Sequence, residues 1–337
     1  MDYKDMSLKE KFMYKTDIHS RRQLFQRIGK LVWAIFRLLL IIGMAYVILF
    51  PVLNMLSKAF SEDILLAETT KWIPRNIGFN NIEIALDYLK YTHSFWLTVR
   101  LALVNSIIQV VVSAIVAYGF ARFNFPLKKL WFTCVLITII VPVQTYIMSQ
   151  YVDFRYFNFF GITALFGASA NLLNSEWTFW LPSLFGVGLK SGLFIYIMRQ
   201  FFLGMPKDLE EAATIDGCGP IRTFVQIMMP NALVSCLTVF LFSFVWNWND
   251  YFTASTMFPQ GIKAIEAGVT VSGVKPLSVM LFNTYDLSTI AFASTETINY
   301  AYVKNAAALL AISPLVIVFL LAQNFFIESI DRVGIKG

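Results

Sequence analysis

The stretch that decides the fold is Pro206-Lys-Asp-Leu-Glu-Glu-Ala-Ala-Thr-Ile-Asp-Gly217, a polar segment between two hydrophobic runs. Pro206 suits the first turn of a helix, because an amide hydrogen there has no intrahelical partner. Acidic residues follow within a turn, where the helix dipole favours negative charge, and Gly217 can take the left-handed conformation that ends a helix. Apolar residues then recur at helical spacing. Residues 204–230 therefore predict a helix, a glycine hinge and a second short helix beside a membrane.

The composition around this loop is that of a membrane protein. The chain is 57% hydrophobic and 14% charged, with a mean hydropathy of +0.63, which excludes an ordinary soluble domain. About 20 apolar residues cross a hydrocarbon core of about 30 Å. We therefore predict an all-α membrane protein, in which residues 31–337 form the membrane domain. Its six transmembrane helices are expected at Val32–Leu56, Phe95–Phe120, Leu130–Tyr151, Trp180–Phe202, Ala232–Thr256 and Ala306–Ile327.

The distribution of Lys and Arg predicts the orientation. With the N-terminus in the cytoplasm, the inside segments hold 16 Lys and Arg and the outside segments hold 8. Positive charge accumulates on the cytoplasmic side of membrane proteins. Residues 1–30 are therefore expected to form a basic cytoplasmic segment, with the C-terminus and the 204–230 loop on the same side. The net charge of +6 is explained by topology, so no nucleic acid partner is expected.

Several chemistries find no support in the residues. Three Cys without paired spacing and two widely separated His predict neither a disulfide framework nor a metal site. No G-x4-G-K-[ST] loop occurs, so the chain is not expected to bind ATP through a P-loop. A secondary transporter, which needs ionisable residues facing the bundle interior, stays open as an alternative. A membrane-embedded enzyme is a weaker alternative, because no catalytic cluster is visible.

The polar loop resembles the EAA loop found in the membrane subunits of bacterial ABC importers. The family pattern is E-A-A, three residues, G, nine residues, I, one residue, L and P. Here Glu211-Ala212-Ala213 and Gly217 keep the first spacing, and Ile227 and Pro230 keep the second, with Met229 in place of Leu. Asp216 lies inside the matched stretch. Both spacings agree across twenty positions, which makes the motif specific.

Other motifs narrow the resemblance to carbohydrate permeases similar to the second maltose permease subunit. It covers about residues 35–337, except that the outside segments 152–179 and 257–305 are longer than the family pattern. The matching stretches are Trp72-Ile-Pro74, Ala117-Tyr-Gly-Phe-Ala-Arg122 with Phe125-Pro126, Trp246-Asn-Trp-Asn-Asp250 and Gly334-Ile-Lys-Gly337.

This resemblance implies the fold of a type I ABC importer membrane domain in the bacterial cytoplasmic membrane. It implies four kinds of partner: a second, non-identical permease, two copies of an ATPase that binds ATP and Mg²⁺, an extracytoplasmic sugar-binding protein and a carbohydrate substrate. It implies no cofactor in this chain itself. It further implies that Glu211 makes polar contacts with the ATPase, that Ala212 and Ala213 permit close approach, and that Gly217 sets the angle of the loop.

A candidate substrate pathway lies in the fifth predicted span. Trp246, Asn247 and Asp250 fall within one helical turn, with Ser243 on the same face. Aromatic rings stack on sugar faces, and amides and carboxylates bond to hydroxyl groups. The alternative is an interfacial aromatic belt with a carboxylate at headgroup depth. Lys190, in the fourth predicted span, is expected to snorkel or to pair with a carboxylate rather than to line a pathway.

Overall fold

The fold is almost entirely helical. The computed structural model describes residues 8–61, 76–158, 170–266, 269–282 and 300–334. The first half of the chain forms α1 (Leu8–Ala59), α2 (Asn80–Tyr88), α3 (Tyr91–Arg122), α4 (Lys128–Ile140), a 3₁₀ turn (Val143–Thr145), α5 (Ile147–Arg155), α6 (Trp177–Leu184) and α7 (Ser191–Gly204). The second half forms α8 (Asp208–Ile215), α9 (Pro220–Thr223), a π turn (Phe224–Met228), α10 (Met229–Asn231), α11 (Leu233–Asn249), α12 (Phe252–Met257), β1 (Ile262–Glu266), β2 (Val269–Val274), α13 (Leu277–Phe282) and α14 (Tyr300–Gly334).

The helix α3 is the axis of the described structure, because α6, α7, α11 and α13 all pack against it. Its half nearer Arg122 joins α7 and α11 in one hydrophobic cluster that includes Phe194, Phe202 and Met228. Its half nearer Tyr91 packs with α2, α11 and α14 in a second cluster. α3 therefore connects the loop that follows α7 to the opposite end of the bundle.

Three described helices are long and apolar enough to cross a membrane: Gln26–Ala59 within α1, the whole of α3, and Ala301–Gln323 within α14. A fourth crossing is possible if Pro220–Asn231 and Leu233–Asn249, bent by 75° relative to each other, form one span. The mostly helical membrane fold is confirmed, whereas the exact number of six crossings stays a prediction.

The third and fourth predicted spans are not single helices. α4 ends at Ile140, and Val141 takes an extended conformation (ψ 118°), as expected for a residue that precedes a proline. The fourth predicted span is divided between α6 and α7, where Gly186 and Lys190 have φ angles of +73° and +61°. Lys190 therefore does not lie inside a continuous helix, contrary to our expectation. Hydropathy alone does not reveal such breaks.

Two further differences concern the C-terminal third. The fifth predicted span ends early, since α11 stops at Asn249 and Asp250 is extended (ψ 100°). β1 and β2 form a small antiparallel two-stranded sheet within the mostly helical fold, an element that was not predicted. The hairpin lies in the segment 257–305, whose length already departed from the family pattern. Trp72–Pro74 and the last three residues of the tail motif lie outside the described residues.

Candidate functional site: the 204–230 loop and its anchors

The backbone of the loop closes as the sequence predicts. Gly217 has a φ angle of +78°, a conformation that a side chain disfavours. The amide of Cys218 donates to the carbonyl of Ala213 at 2.9 Å, and the amide of Gly217 donates to that of Thr214 at 3.1 Å. These two bonds form a Schellman motif, which satisfies carbonyl groups at the end of α8. The hinge is therefore a fixed turn.

The start of this helix differs from the prediction by two residues. α8 begins at Asp208, so Pro206 precedes the helix instead of occupying its first turn. Asp208, Glu210 and Glu211 nevertheless lie in the first turn, where their negative charges interact favourably with the unpaired amide groups of the helix N-terminus. These charges favour a helix start at this position, where Lys207 provides no side-chain cap.

The predicted coupling residues divide into an inward and an outward set. Ala213 is buried, whereas Glu211, Ala212, Asp216 and Gly217 are exposed. Further along the chain, Ile227 is half-buried and Pro230 is exposed. Ala213 therefore packs the loop against its own bundle, which leaves Ala212 as the small residue on the outer surface.

The outer surface of the loop carries apolar side chains that the sequence analysis did not single out as a group. Ile215 is 86% exposed and Ile221 is 81% exposed, with Val225 also exposed. They flank the Gly217 turn beside Glu211 and Arg222. A projecting turn with large apolar side chains among charges has the character of a protein contact surface.

The inner surface of the loop is anchored to the end of α3. The Nε atom of Arg122 lies 3.4 Å from Oε1 of Glu210, with the Arg122 side chain 6% exposed and that of Glu210 22% exposed. Nη2 of Arg122 also donates to the carbonyl of Met205 at 2.8 Å. The Tyr118 ring lies 4.8 Å from that of Phe224, measured between centroids. One charge pair and one aromatic contact therefore connect α8 and the π turn to α3.

These anchors were not predicted from the sequence. The stretch Ala117–Arg122 carried a resemblance to the carbohydrate permeases, and no role was assigned to Tyr118 or Arg122. The available signal was an arginine at the cytoplasmic end of a predicted span, placed to meet acidic residues at a helix start. Which of Asp208, Glu210 and Glu211 meets it depends on packing.

The predicted pathway residues do not share one face. Asn247 is buried, accepts a hydrogen bond from Nδ2 of Asn105 at 2.7 Å and donates one to the carbonyl of Ser243 at 2.8 Å. Trp246 points elsewhere, with its ring 5.7 Å from that of Phe194. Asp250 lies beyond the helix, where its Oδ1 accepts from the amide of Thr253 at 3.1 Å. The pathway role of the three residues stays a prediction.

Ser243, Asn247, Gln109 and Ser106 form a polar network between α3 and α11. Ser243 donates to Oε1 of Gln109, and its Oγ lies 3.0 Å from Oγ of Ser106, while Nε2 of Gln109 donates to the carbonyl of Leu189 at 2.8 Å. These bonds join the break before α7 to the middle of α3. Within the described ranges, no group of three or more His, Cys, Asp or Glu could hold a metal ion.

An anchored loop with exposed apolar side chains suits a contact with another protein. The family described as "Binding-protein-dependent transport system inner membrane component" matches residues 109–332. The match covers more than half of the chain, and the chain therefore belongs to this family of transport components, as the loop motif predicted. The family is not one of enzymes.

The chain is similar to the sn-glycerol-3-phosphate transport system permease protein UgpE of Salmonella typhi. The two are 27% identical over 308 residues, which cover 87% of this chain and 93% of that protein. UgpE of Shigella flexneri serotype 5b is 27% identical over 222 residues, 66% of this chain and 66% of that protein. In the Shigella comparison, the chain thus spans about two thirds of its relative.

Among solved structures, the chain resembles one from the "Crystal structure of a bacterial ABC transporter involved in the import of the acidic polysaccharide alginate". The TM-score is 0.66 at 19% identity, covering 88% of this chain and 96% of that chain. The likeness confirms the predicted fold of an ABC importer membrane domain.

Proposed function

We propose that this chain is a permease subunit of an ATP-driven importer for a carbohydrate or a related polyol. The observation that carries the proposal is the 204–230 loop, anchored by Arg122 and exposing Ile215 and Ile221 to a partner. Family membership supports transport, and the cargoes of the similar transporters, glycerol 3-phosphate and alginate, support a sugar derivative as cargo. The sequence more specifically predicts that this cargo is an oligosaccharide.

The loop is proposed to seat in a cleft of an ATPase subunit on the cytoplasmic side. ATP and Mg²⁺ would bind to that ATPase, present in two copies, and this chain would carry no cofactor. A second, non-identical permease would complete the pathway, and an extracytoplasmic binding protein would deliver the cargo. The distribution of Lys and Arg supports a cytoplasmic position for the N- and C-termini and for the loop.

The contacts within the loop provide the mechanism by which motion reaches the membrane. The Schellman turn at Gly217 and the π turn at Phe224–Met228 fix the shape of the loop. The Arg122–Glu210 pair and the Tyr118–Phe224 contact then couple it to α3. Because α3 packs along α7 and α11, a displacement of the loop moves the centre of the bundle as a unit. Six spans would thereby alternate between outward-facing and inward-facing arrangements.

Family membership argues against the two alternatives, a secondary transporter and a membrane enzyme. Neither class needs an exposed apolar turn for an ATPase. The experiment is to express the chain with candidate ATPase and permease subunits, purify the complex through this chain, and reconstitute it. We expect co-purification of the ATPase, ATP-dependent uptake, and loss of both in Ile221→Asp. Uptake driven by an ion gradient without an ATPase would contradict the proposal.

A further inference from the structure

An open groove lies on the surface of the helical bundle where α3, α4 and α7 meet. It has a volume of about 510 Å³, and nearly all of its lining is apolar. Its walls include Val116 and Phe120 of α3, Trp131 and Val135 of α4, and Ile195 of α7. Trp131 is 55% exposed, so the wall formed by α4 is open to the surroundings of the bundle. A groove of this character suits a hydrocarbon chain.

Two of the helices that form the groove carry a stripe of lining residues that ends in a cation. On α4, the stripe starts at Lys128 and continues at helical spacing through Trp131, Val135 and Thr138. On α7, it passes through Gly192 and Ile195 and ends at Arg199. α4 begins, and α7 ends, on the side of the bundle that carries the 204–230 loop. Both cations therefore lie at the same end of the groove.

The charges of Lys128 and Arg199 are not neutralised by an acid. Neither residue makes an ion pair within the part of the chain that the structure describes. Burial and the nearby charge of Arg199 lower the pKa of Lys128, so the two like charges are close together. Lys128 donates to the carbonyl of Phe123 at 2.7 Å, which leaves two of its three hydrogens for a ligand.

The guanidinium of Arg199 is held in place by an aromatic ring. Its Cζ atom lies 4.0 Å from the centroid of the Phe132 ring, and its buried Nε atom has no hydrogen-bond partner. In addition, no side chain caps the start of α4, whose first amide groups favour negative charge. Two unpaired cations beside an uncapped helix start are suited to an anionic headgroup.

The length of the groove matches one leaflet of a bilayer. Lys128 and Thr138 are ten residues apart, or about 15 Å along α4, which is half of a hydrocarbon core of about 30 Å. The helices approach closely at the far end, where a side chain at Gly192 would collide with Thr138. With the loop in the cytoplasm, as proposed above, the cations lie at the headgroups of the cytoplasmic leaflet.

We propose that this groove binds one acyl chain of an anionic phospholipid, with the lipid phosphate at Lys128 and Arg199. Basic pockets between membrane helices on the cytoplasmic side bind the headgroups of such lipids. An apolar helix of another protein would cover the groove but would leave both cations without a partner charge. Because α7 leads directly into the 204–230 loop, the bound lipid would hold α4 against α7 at the base of that loop. The proposal goes beyond the proposed function, on which it depends only for the choice of leaflet.

The test is native mass spectrometry of the chain, purified with any co-expressed partners, stripped of lipid in detergent and titrated with two lipids. Phosphatidylglycerol and phosphatidylcholine with identical acyl chains differ in net charge alone. We expect the first phosphatidylglycerol to bind tenfold or more tightly than phosphatidylcholine. Lys128→Gln and Arg199→Gln should each weaken phosphatidylglycerol roughly fivefold, and the double variant should abolish the preference. Cys134→Trp, which places a large ring in the groove at an exposed position, should weaken both lipids.

The matched control is Lys129→Gln, which removes a lysine at nearly the same depth on another face of α4. Lys129 and Thr133, one turn further on, are exposed and do not line the groove. Binding of phosphatidylglycerol should therefore change less than twofold in this variant. The same affinity for phosphatidylglycerol in wild type, the double variant and Cys134→Trp would overturn the proposal. A wild-type chain without a preference between the two lipids would do the same.

A second measurement identifies what occupies the groove in the assembled complex. Phosphatidylglycerol with a diazirine in its acyl chain is added to reconstituted membranes and activated by light, and the labelled peptides are mapped. Adducts within residues 131–138 of α4 and on α7 would support the proposal. Adducts that form without a second permease and vanish in its presence would overturn it, because the groove would then be a protein interface. Lipid binding by a chain that associates with no ATPase would instead contradict the proposed function and leave the lipid site standing.

Discussion

The Arg122–Glu210 pair makes the anchoring of the loop measurable. At 3.4 Å, two unit charges attract by about 5 kcal/mol at an effective dielectric constant near 20. Part of this is offset by the desolvation of Arg122, and the contact lacks hydrogen-bond geometry. Glu210→Gln leaves Arg122 buried without its partner charge. Because the Glu210 side chain is 22% exposed, we expect this change to lower the free energy needed to open the loop locally by about 2 kcal/mol.

The assay is limited trypsin digestion of the reconstituted chain. Lys207 and Arg222 are exposed at the two sides of the loop, and cleavage requires local opening. A loss of about 2 kcal/mol raises the open population, and hence the cleavage rate, roughly thirtyfold. We expect the uptake per ATP hydrolysed to fall as well, because a loosened loop transmits less motion.

The chain offers a matched control at the other end of α3. Arg100 lies 3.1 Å from Glu176, but its side chain is 56% exposed, so the pair contributes less than about 1 kcal/mol. Glu176→Gln should therefore leave loop cleavage and coupling close to wild type. Equal cleavage rates for Glu210→Gln, Glu176→Gln and wild type would refute the anchoring argument.

Four other outcomes are expected. Gly217→Pro cannot keep a φ angle of +78°, and Glu211→Lys reverses an exposed charge. Each variant should therefore uncouple uptake from ATP hydrolysis, and normal values of both activities would refute the docking role. Thr214→Cys, in a background without other cysteines, should react in intact cells with permeable reagents alone, and labelling by impermeable ones would invert the topology. Asn247→Ala removes the acceptor of the buried Asn105 amide, which should lower the free energy of unfolding by about 1–3 kcal/mol. The amount of assembled complex, measured by size-exclusion chromatography, should therefore fall, and a wild-type yield would contradict this. Asp250→Ala should change uptake or preference across a panel of sugars while assembly survives, and unchanged rates would reject its pathway role.

The turn at Gly217 was predictable because its determinants are local. A residue without a side chain, placed after a helix-forming run, is sufficient to specify the left-handed turn, and the observed hydrogen bonds follow from that geometry. The positions of α1, α3 and α14 were predictable for a similar reason, since a long apolar run must be helical to satisfy its backbone in lipid.

The site residues illustrate where local reasoning stops. Helical spacing placed Trp246, Asn247 and Asp250 within one turn, but α11 ends at Asn249, and the side chains diverge toward different neighbours. Likewise, the G-x-x-x-G spacing of Gly188 and Gly192 is typical of close packing between continuous helices, yet Gly188 lies in the break before α7. A side chain would collide at both positions, with Ser183 at Gly188 and with Thr138 and the carbonyl of Val135 on α4 at Gly192.

By itself, the sequence determined the class of protein, the loop with its hinge, and the long apolar helices, because each depends on short-range preferences and on the demands of lipid. Tertiary structure alone decided that Arg122 meets Glu210, that Asn105 meets Asn247, and that two broken spans meet around Lys190. Those contacts join residues 80 or more positions apart, or lie where helices end for reasons of packing. Their partners are chosen by the arrangement of the whole bundle, which no local pattern encodes.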